Sequence, residues 1–184
     1  MDWTLIIVLG IIVMVVLWFI ASYNRFISFK NKIEEAFSTM DVYLKKRYDL
    51  IPNLVETVKG YAKHESGTFE AVVKARNIAV NAKTVEERAE GENMLSGTLK
   101  TLFAVTENYP ELKANQGFLD LQEQLSFIEN DILNSRKYYN ALVRDFNTMC
   151  ESFPSVILAG IFRFEKKALF EIEGEERQNV KVQF

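Results

Sequence analysis

The chain has 184 residues, a formal net charge of −3, one cysteine and one histidine. That balance offers no global basic field for nucleic acid, and a single cysteine excludes an intrachain disulfide and any multi-cysteine metal site. Only three prolines and eight glycines interrupt the chain, and its long periodic stretches repeat at helical spacing, so the expected fold class is all-α.

The first element is apolar. Trp3 to Ala21 reads WTLIIVLGIIVMVVLWFIA, without a charge. A hydrocarbon core ~30 Å thick needs ~20 apolar helical residues, so this run is long enough to span a bilayer. Its flank, Met1-Asp2, is not basic and Ala21-Ser22-Tyr23 is a poor cleavage site, which reads as a retained anchor rather than a removed signal. Trp3, Trp18 and Tyr23 suit the aromatic belts of the two interfaces. Arg25, Lys30 and Lys32 follow the run, whereas Asp2 alone precedes it. This asymmetry predicts an outside N-terminus and a cytoplasmic body at the cell membrane, with Glu34 and Glu35 weakening the bias.

The next stretch carries Phe37, Met40, Leu44, Tyr48, Ile51, Leu54 or Val55, Val58 and Tyr61 at steps of three or four. No glycine or proline separates Ala21 from Ile51, so the helix is expected to continue out of the anchor. Pro52 lacks an N–H and crowds the preceding turn, predicting a kink near Tyr48–Ile51 and a restart capped by Asp49. A middle stretch begins after Ser66-Gly67, runs through Phe69, Val72, Val73, Ile78 and Ala79, and restarts at Thr84-Val85-Glu86-Glu87, a capping box. Leu95, Leu99, Leu102 and Phe103 carry it to Tyr109-Pro110, with Gly91 and Gly97 as local weak points.

The strongest periodicity follows Gly117. Phe118, Leu121, Leu125, Ile128, Ile132, Ser135, Tyr139, Leu142, Phe146, Met149 and Phe153 form a heptad seam of coiled-coil type, which Pro154 ends. Cys150 lies on the apolar side of this helix, as a small buried hydrophobe. Three long helical stretches in about four segments, each stretch roughly 50–65 Å long, predict an elongated antiparallel helical bundle after the N-terminal transmembrane helix. In that arrangement Tyr109–Gly117 faces the membrane and the segment after Pro154 starts at the far end. Val156 to Phe164 is too short to span. It either folds back onto the bundle end or serves as a partner-docking or interfacial segment through Phe162 and Phe164, the expected distance from the bilayer counting against the membrane version. The charged Glu173-Gly174-Glu175-Glu176 has the composition of a loose tail, and Val180–Phe184 alternates as a strand could, with Val182 and Phe184 as further docking candidates.

Tests for catalytic chemistry come back negative. A di-iron carboxylate site wants two Glu-x-x-His motifs, and a zinc-protease helix wants His-Glu-x-x-His; His64-Glu65-Ser66-Gly67-Thr68 lacks the second histidine. Gly91 and Gly97 are isolated, so no phosphate loop exists, and no Gly-x-Ser-x-Gly elbow is present. The reading is non-enzymatic and without cofactor, cofactor-binding or metal residues; a metal- or carboxylate-dependent hydrolase is the minority class. Arg47, Asp49, Asn53 and Glu56 cluster around Pro52. They form either a partner or ligand groove or an internal hydrogen-bond network reaching Arg136, Asn140 or Asn147. Lys45-Lys46-Arg47 lies some ~35 Å along a straight helix from the anchor, beyond electrostatic reach of lipid at physiological salt.

Specific strings add to this. Arg47-Tyr48-Asp49-Leu50-Ile51-Pro52-Asn53-Leu54-Val55-Glu56-Thr57-Val58-Lys59-Gly60-Tyr61-Ala62 resembles the signature block of the LemA family. Leu102-Phe103-Ala104-Val105, Glu107-Asn108-Tyr109-Pro110, Leu112-Lys113-Ala114-Asn115, Tyr139-Asn140 and Phe153-Pro154 are similar to it as well. The resemblance implies a bacterial membrane protein with one N-terminal span and a helical-bundle body. It brings no catalytic residues, since the family has no established catalytic chemistry, and its inclusion of a magnetosome membrane protein points to assembly or scaffolding work.

The expected organisation is an anchor over 1–22, a helical bundle over 23–153 and an apolar segment with a flexible tail over 154–184. The expected function is a single-pass, membrane-anchored scaffold or adaptor. Its partners are the bilayer, through 3–21, and a membrane or cytoplasmic protein, but no nucleic acid; homo-oligomerisation stays open. The alternative is a ligand- or peptide-sensing module with its groove near Pro52.

Overall fold

The computed structural model describes residues 3–171. Among these, six helices and no strand occur: α1 (Trp3–Lys59), α2 (Ser66–Asn81), α3 (Val85–Thr106), α4 (Pro110–Lys113), α5 (Gln116–Glu151) and α6 (Ser155–Phe162). The all-α expectation holds. The chain separates into two compact units whose cuts fall inside α1 and α5. Among the described residues, one takes in α1 as far as Ser38 together with Lys137–Ala168, and the other Thr39–Arg136 with 169–171. The expected strand over Val180–Phe184 and the loose acidic tail lie outside the described residues.

α1 leaves the apolar run without a break, as its lack of glycine and proline between Ala21 and Ile51 implies. The restart at Asp49 does not occur, because Asp49 and Pro52 both lie inside α1. Proline costs the helix the bond to the carbonyl four residues back, and here that carbonyl, on Tyr48, accepts instead from Arg76 Nε at 2.8 Å. With its acceptor satisfied and Ile51, Leu54 and Val55 buried on the adjacent turn, the helix has no reason to stop.

The second unit is built on a helical hairpin. Thr84 Oγ1 accepts from the Glu87 N–H at 3.1 Å, while the Glu87 carboxylate accepts from the N–H groups of Lys83 at 2.8 Å and Thr84 at 3.3 Å. These backbone donors hold the Glu87 carboxyl below its usual range. The box starts α3 immediately after α2 ends, so the two pack closely. A Cβ on Gly91 would lie 2.7 Å from the Ala79 Cα, so the absence of that atom sets their approach. Asp41 of α1 pairs with Arg88 of α3, and Arg47 pairs with Glu92; both partners rise together, so α1 and α3 run parallel. Asn115 Oδ1 accepts from the Phe118 N–H at 3.0 Å, which starts α5 at Gln116, two residues ahead of the start expected after Gly117.

This hairpin overturns the expected course of the middle stretch. The middle stretch doubles back on itself instead of making one long pass, adding one reversal. Tyr109 therefore donates to Glu65 (3.4 Å) and Asn115 to the Tyr61 hydroxyl (3.0 Å), just past the C-terminal end of α1 and not at the beginning of that helix, where the expected course put this turn.

In the first unit, the end of α5 and the chain after it lie against the beginning of α1. Phe26 stacks on Phe164 at 4.6 Å between ring centroids and meets Phe146 edge-on at 5.8 Å. Asn147 donates to the Lys167 carbonyl at 2.9 Å and accepts from its N–H at 2.8 Å, and Tyr139 Oη donates to the Ala168 carbonyl at 3.0 Å. The post-Pro154 segment thus folds back as one expectation had it, but next to the apolar run and not at the far end. On the seam, Phe118, Leu125, Ile132, Tyr139, Leu142, Phe146 and Met149 are buried, as is Cys150; Phe153 lies beyond the helix and is 82% exposed.

Candidate functional site

Arg47 and Tyr48 are neighbours on α1 and converge on one carboxylate. Arg47 Nη2 pairs with Glu92, and the Tyr48 hydroxyl donates to the other Glu92 oxygen. Arg47 Nη1 also reaches Ser96 Oγ at 3.4 Å and Glu129 of α5 at 3.5 Å. Glu92 and Ser96 stand four apart on α3, hence on one face. Arg47 is 3% exposed and Glu92 1%. Burial pulls the Arg47 guanidinium below its usual value, opposed chiefly by the charge of Glu129. Burial pushes the Tyr48 phenol up, opposed by Arg47 and Arg88. A charge pair so placed is costly to break and fixes which turn of α1 meets which turn of α3.

The four residues read from the sequence as a groove do not share a face. Residues of a helix advance by ~100° each, so Asp49, Asn53 and Glu56, at spacings of four and three, line one stripe. That stripe is exposed, with Glu56 bonded to Lys59 at 3.2 Å. Arg47 points the other way, into the core. Its partners include Glu92 and Ser96, which the sequence reading did not name; among the signals available was Glu92 itself, a charged residue on the stripe Ala89, Glu92, Leu95, Leu99, Leu102, otherwise apolar and buried.

An open cleft of about 910 Å³ lies between the end of α1 and one side of α2. Lys59, Lys63 and Lys74 surround an apolar floor that includes Phe69, Val73 and Ile78. Val73 and Ile78 keep 40% and 39% of their surface open, so they line this cleft instead of filling the core. The pairs Val72-Val73 and Ile78-Ala79 signal it, since each widens the apolar stripe past one helix face. Of the docking candidates near the C-terminus, Phe162 and Phe164 come together against Phe19, Tyr23, Phe26 and Phe146. Val182 and Phe184 lie outside the described residues. Among the described residues, no group of three or more His, Cys, Asp or Glu side chains is placed to hold a metal ion.

These features define an all-α protein whose first helix opens with a run long and apolar enough to cross a membrane and later brings Arg47 and Tyr48 to a buried cluster with Glu92 of α3. The sequence model of the LemA family matches residues 36–184, and the chain belongs to that family. It is 25% identical over 166 residues to Protein LemA of Metamycoplasma hominis, covering 88% of this chain and 74% of that protein. It is 24% identical over 175 residues to Magnetosome protein MamQ 2 of Paramagnetospirillum magneticum, covering 81% of this chain and 64% of that one. Magnetosome protein MamQ of Magnetospirillum gryphiswaldense is 22% identical over 174 residues, with 80% and 64% covered. The chain thus spans 64% of the length of these magnetosome relatives, and none of the three names states an enzymatic activity.

Proposed function

We propose that this protein is a single-pass, membrane-anchored helical scaffold or adaptor for protein–protein interactions at the bacterial membrane. The observation that carries the reading is the continuity of α1. Its apolar turns are open along Trp3–Leu17, and the same helix then supplies Phe26, Met40, Leu44 and Ile51 to buried cores. A helix whose first part buries nothing in its own chain needs an apolar surrounding for it, and a bilayer is the surrounding that its length and composition suit. Its most buried polar side chains serve internal register, which leaves exposed surfaces as the place where partners act. That two relatives are magnetosome proteins supports a part in an assembly.

The basic residues Arg25, Lys30 and Lys32 place the body in the cytoplasm in this reading. The test is to isolate the full-length chain from native membranes in mild detergent, with mass spectrometry of what comes with it. Retention in the membrane pellet after alkaline carbonate, together with a stoichiometric protein partner, is the expected result. Release by carbonate removes the anchor from the reading, and a chain that arrives alone removes the scaffold. A reporter fused to the C-terminus and active only in the cytoplasm checks the orientation.

A further inference from the structure

Beside the end of the apolar run the fold leaves a further apolar surface that the anchor alone does not account for. α6, Ser155–Phe162, reads SVILAGIF and has no charged side chain. Only Leu158 and Ala159 of it are buried; Val156, Ile157, Ile161 and Phe162 are 40%, 52%, 60% and 41% exposed, and Phe153 just before it is 82% exposed. A contiguous apolar face of this kind calls for something to cover it.

Its place in the unit identifies the cover. The Phe162 ring stands 5.8 Å from that of Phe19 and 4.7 Å from that of Tyr23, centroid to centroid. Within the described apolar run as far as Ile20, Trp18 and Phe19 alone are half-covered. α6 is therefore joined to α1 where the uncharged run ends and before the first charge after it, Arg25. If the run spans a bilayer, that turn lies at the boundary of acyl chains and headgroups. A helix of this length is ~12 Å long, too short to cross and suited to lying in the interface plane. Basic residues follow it in keeping with that level: exposed Arg163 ends α6 in the left-handed conformation, and after Glu165 come Lys166, paired with Glu151, and Lys167. Basic side chains beside an interfacial helix meet the anionic headgroup layer.

We propose that α6, with Phe153, is a second membrane contact, an in-plane helix whose Phe153, Val156, Ile157 and Ile161 side chains enter the same leaflet that α1 leaves. The proposal rests on the spanning reading of α1. Its consequence is a body held to the bilayer at two points, so that it cannot swivel freely about the anchor as a single-span protein does.

The test uses the full chain reconstituted in phosphatidylcholine–phosphatidylglycerol vesicles whose acyl chains carry bromine at a defined depth, bromine being a contact quencher of tryptophan fluorescence. In a Trp3→Phe, Trp18→Phe background, one variant carries Ile12→Trp in the middle of the run and another carries Ile157→Trp on α6. Both positions are exposed, at 52%, so neither substitution disturbs a core. The expected result is quenching on the order of twofold for Ile157→Trp by bromine near the headgroups, and for Ile12→Trp by bromine deep in the chains. Quenching of Ile12→Trp with none of Ile157→Trp overturns the second contact and leaves the anchor standing; a second copy or another protein covering α6 gives that pattern. Strongest quenching of Ile157→Trp by the deep bromine overturns the in-plane placement. No quenching of either overturns the spanning reading itself.

Discussion

Arg76 Nε donates to the Tyr48 carbonyl at 2.8 Å, and Tyr48 is the residue whose helical bond Pro52 cannot make. A proline inside a helix leaves the carbonyl four residues earlier without its donor. Here a side chain from α2 provides one. The exchange ties α2 to α1 at the turn where α1 would otherwise be weakest.

Arg76→Met keeps much of the aliphatic stem and removes the donor. It should lower the stability of the folded chain by ~1–3 kcal/mol, the usual cost of an unsatisfied buried acceptor. In a Pro52→Ala background the cost should shrink, because the alanine N–H restores the helical bond. Urea denaturation of the four proteins forms a double-mutant cycle. An equal cost of Arg76→Met in both backgrounds would show that Arg76 acts through something other than that carbonyl.

Glu92 offers a sharper case. Glu92→Leu strips Arg47 of its buried carboxylate and leaves it with the Ser96 hydroxyl and Glu129, which is half-exposed. Removing one member of a buried pair typically costs ~3–5 kcal/mol, and replacing both by apolar residues costs far less. The expected order of stability is therefore wild type, then Arg47→Met with Glu92→Leu together, then Glu92→Leu alone. Thermal unfolding followed by circular dichroism reads it. A double variant no more stable than the single one argues against an ion pair whose members depend on each other.

What was legible in the residues was local, and what was not depended on distant partners. The Thr84–Glu87 box could be read because its two hydrogen bonds join residues three apart. The burial of Phe118, Leu125, Ile132, Tyr139, Phe146 and Cys150 on α5 followed from spacing alone. The direction of α5 did not follow, because it turns on whether the chain around Thr84 continues or doubles back, and Gly91 decides how closely that turn can fold. Gly91 reads in sequence as a weak helix former; its use shows only once Ala79 stands opposite. For Arg47 the sequence offered Arg136, Asn140 or Asn147 of α5 as partners; its guanidinium reaches Glu129 of that helix, but its buried partner is Glu92 of α3, which only packing selects.

The two glycines of α3 separate propensity from packing. Glycine costs a helix interior ~1 kcal/mol relative to alanine, so Gly97→Ala, with no atom within 4 Å of the added carbon, should stabilise by up to that amount. Gly91→Ala adds a carbon 2.7 Å from the Ala79 Cα and 3.0 Å from its nitrogen, both backbone atoms. It should destabilise in spite of the propensity gain, by ~1–3 kcal/mol as overpacking does. Urea midpoints that move in the same direction for both variants would contradict the close approach of α2 and α3.

The Tyr48 hydroxyl predicts an alkaline limit. Its phenol is raised above the ordinary value, first by burial, with Arg47 and Arg88 pulling the other way. A group that holds its proton more tightly when folded contributes stability that is fully present below its unfolded pKa and is lost as pH rises through the folded one. For a phenol that window opens near pH ~10. Below it, Tyr48→Phe should cost ~1–3 kcal/mol, the worth of a hydrogen bond to a charged acceptor. Above it, the wild type must give up a proton on unfolding and so loses stability, while Tyr48→Phe does not lose this share. The gap in urea midpoint between the two proteins should therefore stay constant from pH 7 to about 9 and narrow from about 10 upward. Arg47 and the remaining tyrosines are common to both proteins, so the difference isolates Tyr48. A gap that stays constant to pH ~11 would mean that the buried phenol carries no proton linkage to folding.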